Sequence, residues 1–288
     1  MDHSIIEPVN EQERISLPLF FFFVFLVSWA GALPLIIVSW TSPDSISPVL
    51  RLLQILMFIG PALAAIVATW LNDGRSGLRR LFKRVLTWQV GFVWYLGIFL
   101  IPGAITLISL ILSNALLKTA IQIPDLQTVI LGFISAFILQ FLLNTEELAW
   151  RGYTLPRLQA KYGPLKASLI LGVIWVVFHI PLFLPKGGHP AGYPFIILVI
   201  GGLSLSVIFS WVFNVTNGSV LIVHLLHQSL NAWGEALRVF PVFTNTLYPM
   251  LFSMATFVII AIIIVIVAGS DRLGFPPMLT KEDPASTS

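Results

Sequence analysis

Leu126-Gln-Thr-Val-Ile-Leu-Gly-Phe-Ile-Ser-Ala-Phe-Ile-Leu-Gln-Phe-Leu-Leu-Asn-Thr-Glu146-Glu147-Leu-Ala-Trp-Arg151 is the stretch on which the reading of the whole chain turns. About 20 consecutive apolar residues cross a hydrocarbon core about 30 Å thick, so this stretch predicts a membrane-spanning helix over 126–148. The apolar run is continuous rather than alternating, which argues against a barrel strand. It then ends on two adjacent carboxylates and an arginine. Charges are costly inside a membrane span and mark functional sites.

Seven further stretches have the same character, near 17–40, 50–70, 89–113, 166–184, 193–214, 218–238 and 247–269. The one at 166–184 is interrupted by Pro181. Together they predict an all-α polytopic transmembrane bundle of about eight spans. Composition agrees: 57% of the residues are hydrophobic and 10% charged, against about 25% charged in an ordinary soluble domain. Cysteine is absent, which excludes disulfides, thiolate metal sites and a cysteine nucleophile. The first sixteen residues carry Asp2, Glu7, Glu11 and Glu13 against Arg14, the wrong charge for a signal-peptide n-region. The first apolar stretch therefore reads as a span. Trp40, Trp70, Trp88 and Trp211 fall near predicted span ends, where aromatic belts form. The expected organisation is a cytoplasmic segment 1–16, N-terminal transmembrane helices 17–125, a functional core 126–240, a last transmembrane helix 241–270 and a disordered tail 271–288.

The basic residues set the expected orientation. With the N-terminus inside, the inner segments hold 12 Lys and Arg and the outer segments hold 4, namely Arg51, Lys118, Lys186 and Arg238. This predicts a multi-pass protein of the cell membrane with both termini in the cytoplasm. The richest inner cluster is Arg75, Arg79, Arg80, Lys83 and Arg84. It reads first as a topology signal and second as a segment suited to an anionic leaflet.

Three predicted spans carry polar groups. Glu146 and Glu147 end the fourth, His179 lies in the fifth, and His224, His227 and Asn231 lie in the seventh. Glu146 is 17 residues before Gly163 and His179 is 16 after it. At about 1.5 Å per residue, two helical arms from that turn put both at nearly one depth. His227 and Asn231 share a helix face and reach into the same layer. Glu147 and Arg151 stand at i,i+4 with the acid first, the better orientation for an ion pair. That leaves Glu146 for other work.

Peptide hydrolysis by water needs a base for the water and donors for the oxyanion. A glutamate beside a histidine supplies the first, and Asn and His side chains supply the second. The same set could instead hold a zinc-bound water.

Three motifs carry a resemblance. Glu146-Glu147-Leu-Ala-Trp-Arg151 fits EExxxR. Trp175-Val-Val-Phe-His179 fits FxxxH, with Trp in the Phe position. His227-Gln-Ser-Leu-Asn231 fits HxxxN. All three, in order and each on a span, resemble the CPBP family: CAAX prenyl proteases of the Rce1 type together with bacteriocin-processing and immunity (Abi) proteins. The resemblance covers roughly residues 140–235. It implies an intramembrane endopeptidase whose site opens to the cytosol. Glu146 and His179 would be the water-activating pair and His227 and Asn231 the oxyanion side. Arg151 would be a structural partner and Glu147 an assisting carboxylate. Trp175 bears on the shape of the substrate pocket, and His224 reads as a hydrogen-bonding support. The chemistry can be written without a cofactor, while zinc held by Glu146, His179 and His227 stays open. The expected partners are a peptide or protein substrate, prenylated or not, and membrane lipids, with no nucleic acid. CAAX-type C-terminal processing and bacteriocin or peptide processing are both open.

Each residue has a plainer reading. A lone Glu–Arg pair near a span end is usually an interfacial ion pair, and a lone membrane His or Asn usually joins helices by a hydrogen bond. A non-catalytic immunity or partner protein and a proton-coupled transporter remain the alternatives. HExxH is absent. Ser204 and Ser206 lack the glycines of a serine-protease elbow and read as packing residues. The sequons at Asn214 and Asn217 fall on the predicted cytoplasmic side.

Reporter fusions test the orientation. Those after Lys83 and Lys161 are expected to report cytoplasm, and those after Lys118 and Lys186 the opposite side. A cytoplasmic signal at Lys186 contradicts the hairpin of the fifth and sixth spans.

Overall fold

The computed structural model describes residues 14–186 and 194–274. Most of the predicted N-terminal segment and of the predicted disordered tail lie outside the described residues. Within them, all regular structure is helical, and seven helical stretches are long and apolar enough to cross a membrane. These are α1 (Leu17–Thr41); α2 and α3 (Pro48–Leu53, Ile55–Val85) taken together; α4 (Phe92–Leu117); α5 (Leu126–Leu143); α7 (Pro164–Phe178) with a 3-10 turn Ile180–Leu182; α8 (Phe195–Val215); and α11 (Tyr248–Ala268). The remaining elements are a π-helical segment Leu148–Thr154, α6 (Leu155–Tyr162), α9 (Val220–Ala236) and the short α10 (Pro241–Thr244).

The remaining predicted span, the seventh at 218–238, does form a helix, α9. It has 17 residues and carries His224, His227, Gln228 and Asn231. The helix that is weakest by membrane criteria is the one that holds much of the polar layer.

Helix ends follow local chemistry. Proline opens α2, α7, α10 and α11 within the first two positions, where its missing N–H costs nothing. Ser47, Asp125 and Ser219 cap α2, α5 and α9 through their side chains. Pro181 ends α7 as the sequence predicts: the helix stops at Phe178 and His179 is its cap.

Small residues let α7 and α8 approach. A Cβ on Gly202 would meet the Val176 side chain at 2.6 Å, and one on Gly172 would lie 3.1 Å from Leu203 and Ser206. Such close passage is how helices associate where lipid removes the hydrophobic drive. Ser204 and Ser206 donate to the carbonyls of Ile200 and Ser168, the packing role read from the sequence. Asn214 is buried and bridges Gln159 to the Leu273 carbonyl. Helix α5 is the least buried of the seven, with 6% of its apolar window buried. It leans on α9 through Phe133 against Trp233 and Phe141 against His224.

The predicted span 126–148 is not one helix. It stops at Leu143, and Asn144 is extended (φ −85°, ψ 97°). Thr145 pins the break to α3: its N–H and hydroxyl both donate to the Phe58 carbonyl, at 3.2 and 3.1 Å. The chain resumes as the π segment. Pro156 gives a physical reason. It has no N–H for the Gly152 carbonyl, and its ring would collide with that carbonyl in an α-helix; a π turn relieves such a clash. The Gly152 oxygen instead accepts from Arg84 Nη1 at 2.6 Å.

Helix α3 breaks at Gly74, whose torsions (φ 60°, ψ −150°) lie in a region almost confined to glycine. Nothing lies within 4 Å of a Cβ placed there, so any cost of a side chain is backbone strain rather than collision. Gly74→Ala is expected to lower stability by about 1–3 kcal/mol, read by denaturant or thermal unfolding of the purified protein in detergent. Unchanged stability would mean that the break relaxes freely.

Candidate active site

Glu146 begins the chain's return after the break and is 1% exposed. Its Oε2 accepts from two indole N–H groups, Trp150 Nε1 and Trp175 Nε1, each at 2.9 Å. Trp150 is one turn along its own segment, and Trp175 comes from α7. With both donors on one oxygen, Oε1 is left to face His179 Nε2 at 4.0 Å. His179 Nδ1 lies 2.7 Å from the Trp175 carbonyl. A carbonyl only accepts, so Nδ1 carries a proton, and Nε2 is the ring nitrogen turned toward Glu146; in a neutral ring it is the bare one. Trp175 thus fixes both members of the pair, one through its indole and the other through its backbone. The sequence flagged this residue only as a departure from Phe.

Glu147 and Arg151 form the expected pair. Arg151 Nη1 lies 3.1 Å from both carboxylate oxygens, and both side chains are fully buried. The guanidinium also lies 5.0 Å from the Phe209 ring centre and 5.8 Å from that of Trp175. Its Nη2 reaches the Ser206 hydroxyl at 3.5 Å. Glu147 has a further partner that spacing could not reveal: His227 Nδ1 donates to its Oε1 at 2.8 Å. The second carboxylate therefore ties α9 to the π segment.

Asn231 lies one turn beyond His227 on α9 and is partly buried. Its side-chain amide makes no hydrogen bond among the described residues. His224 bonds elsewhere. Its Nε2 is 3.0 Å from the Phe141 carbonyl, and its Nδ1 is 3.3 Å from Gln228 Nε2. The carbonyl makes Nε2 the donor, so Nδ1 accepts from Gln228. Gln228 also donates to the Asn144 carbonyl at the break.

The geometry joins Glu146 to His179 and Glu147 to both Arg151 and His227. Sequence reading missed Trp150 and Gln228, and read Ser206 as a packing residue without its contact to Arg151. Trp150 was within reach, since it stands at i,i+4 from Glu146 as Arg151 does from Glu147. Gln228 and the Ser206 contact carried no signal, because their partners are set by tertiary packing. Among the described residues, no three His, Asp or Glu side chains are gathered closely enough to hold a metal ion. The zinc set raised by the sequence, Glu146, His179 and His227, is not among such groups.

Residues 125–233 match the family model described as type II CAAX prenyl endopeptidase Rce1-like. The segment that carries the site is similar to this Rce1-like family. A CAAX prenyl protease 2 of Methanococcus maripaludis is 27% identical over 112 residues, which cover 36% of this chain and 40% of that relative. The chain thus spans well under half of the relative it matches. The Rce1-like segment begins at the residue that caps α5 and ends inside α9, so it contains the break, the π segment and all eight candidate residues.

The buried pair generates a test. Arg151→Ala leaves Glu147 without its cation in a closed site and is expected to cost about 3–5 kcal/mol of stability. Arg151→Lys keeps the charge but loses the fork, and is expected to retain part of both stability and function. Equal and complete functional loss in two normally stable variants would point instead to direct substrate contact by the guanidinium.

Proposed function

We propose that this protein is an intramembrane endopeptidase that hydrolyses a peptide bond with a water activated by Glu146 and His179. One observation carries the reading. An acid and a base from separate helical elements face each other at 4.0 Å, each held from behind so that one acceptor atom points at the other. A water within about 2.8 Å of both atoms fits that separation. It would donate one hydrogen to Glu146 Oε1 and the other to His179 Nε2, which leaves a lone pair for the peptide carbonyl. Glu146 takes the proton and returns it to the leaving amine.

The tetrahedral oxygen is received by Asn231 and His227. Asn231 suits the role because its amide is uncommitted. His227 has already spent its Nδ1–H on Glu147, so it donates from Nε2 only as an imidazolium. Glu147 holds the His227 ring through Nδ1, which gives the second carboxylate a positioning role. Arg151 in turn orients Glu147.

The proposed substrate is a CAAX-type prenylated C-terminal tail, the class named for the Methanococcus relative. The basic-residue bias supports a cell-membrane protein with both termini, and the mouth of the site, on the cytoplasmic side.

Cleavage of a farnesylated CAAX peptide by the reconstituted protein tests the reading, with the unlipidated peptide as its control. Glu146→Gln and His179→Ala are expected to abolish turnover nearly completely while leaving substrate binding intact. Asn231→Ala and His227→Ala are expected to cost on the order of 10²–10³-fold in kcat. Trp175→Phe removes one hydrogen bond to a charged acceptor and is expected to cost roughly 10–100-fold, mainly in kcat. Inhibition by chelators with rescue by zinc would replace the water-activation scheme by a metal one. Full activity in Glu146→Gln would sink both schemes and return the polar layer to a structural or proton-relay role.

A further inference from the structure

The stretch of α3 beyond Gly74 is not used by the chemistry above. Five cations lie between Arg75 and Arg84, with no acid among them. Asp73, just before, is engaged by Arg157 at 3.0 Å and Arg80 at 4.0 Å. Arg75, Arg79 and Lys83 stand at i, i+4 and i+8 and so share one face. All are exposed, and their side chains make no hydrogen bond or ion pair among the described residues. Like charges at i,i+4 disfavour a helix, so this stripe calls for anions from outside the chain. The same side carries apolar groups. Phe82 is 42% exposed and Leu86 73%; Trp88, just beyond the helix, is 61% exposed.

The opposite face is fastened to the catalytic segment. Leu81 is buried against Gly152, whose Cβ would lie 2.9 Å from it. Arg84 holds the Gly152 carbonyl, and the Ser219 hydroxyl that precedes α9 donates to the Thr87 carbonyl. The stripe is therefore a rigid feature of the fold.

We propose that Arg75, Arg79 and Lys83 form a docking surface for the headgroups of anionic phospholipids, with Phe82, Leu86 and Trp88 inserted beside them into the interface. A cationic row next to exposed aromatic and aliphatic side chains matches a layer of phosphates above an apolar slab. A soluble polyanion offers the charge without the slab. Because Leu81 and Arg84 bind the other face to the π segment, headgroup binding stabilises the part of the fold that positions Glu147 and Arg151.

The test is a thermal-unfolding titration of the full chain in neutral detergent micelles, with phosphatidylglycerol or phosphatidylcholine added. Phosphatidylglycerol is expected to raise the melting temperature of the wild type at low salt, and phosphatidylcholine is not. Each exposed cation contributes roughly a fivefold factor in affinity. The triple variant Arg75→Gln/Arg79→Gln/Lys83→Gln should therefore lose on the order of 100-fold in apparent phosphatidylglycerol affinity. Glutamine is a good helix former, so its baseline melting temperature should match the wild type. Lys161→Gln/Lys166→Gln, equally basic positions off the stripe, should keep the full response. The proposal is overturned if the triple variant responds like the wild type, if the two-lysine variant loses the response as well, or if inorganic phosphate or duplex DNA stabilises the wild type as strongly as phosphatidylglycerol.

Discussion

Glu147 and Arg151 are each fully buried, and the rest of the site is arranged around keeping them so. A buried ion pair repays its desolvation only when the geometry is good and the remaining polar atoms find partners. Here the carboxylate accepts from Arg151 and from His227. The guanidinium is stacked near Phe209 and Trp175 and touched by Ser206. Those partners come from the π segment, α7, α8 and α9. One charge pair thus requires four elements to meet at a point, and four helices packed mainly by apolar surface gain a defined register from it. The cost is visible in the Nε of Arg151, which is buried without a hydrogen bond.

The pair also explains why the segment that carries it departs from an ordinary helix. Glu146 and Glu147 are neighbours, so their side chains diverge, one toward His179 and the other toward His227. An uninterrupted span would have carried both along the direction of α5. The break at Asn144 and Thr145 ends that direction, and Pro156 favours the π turn that follows. The carbonyl that proline leaves without its helical donor is served by Arg84 from α3. Backbone irregularity within a membrane protein is tolerated where protein encloses it, and Ala149 to Thr154 are all buried.

Trp175 marks where this chain differs from the motif it otherwise fits. A phenylalanine there could pack but could not donate. The indole N–H joins that of Trp150 on one oxygen of Glu146, and the Trp175 backbone holds the ring of His179. Two donors on one oxygen determine which of the two carboxylate oxygens is presented to His179.

Much was legible from the residues alone. Apolar runs longer than a bilayer is thick force helices, because backbone groups in lipid must bond within their own segment. Spacing identified the Glu147–Arg151 pair, because i,i+4 neighbours meet on any helical surface. Residue counts from Gly163 placed Glu146 and His179 at one depth, since rise per residue is nearly constant. Rise says nothing about rotation or lateral packing, and those decided the remainder. The link from His227 to Glu147 joins residues 80 positions apart, and no local period could announce it. The same holds for Trp175 on Glu146, 29 positions away. The break comes at Asn144 and Thr145, where the apolar run gives way to polar residues, and its direction is set by a carbonyl of α3 that no local pattern announces. Sequence determined the solvent, the helices and the polar inventory of this protein. Tertiary structure alone decided which oxygen faces which nitrogen, because that depends on contacts between helices whose relative rotation the chain does not encode locally.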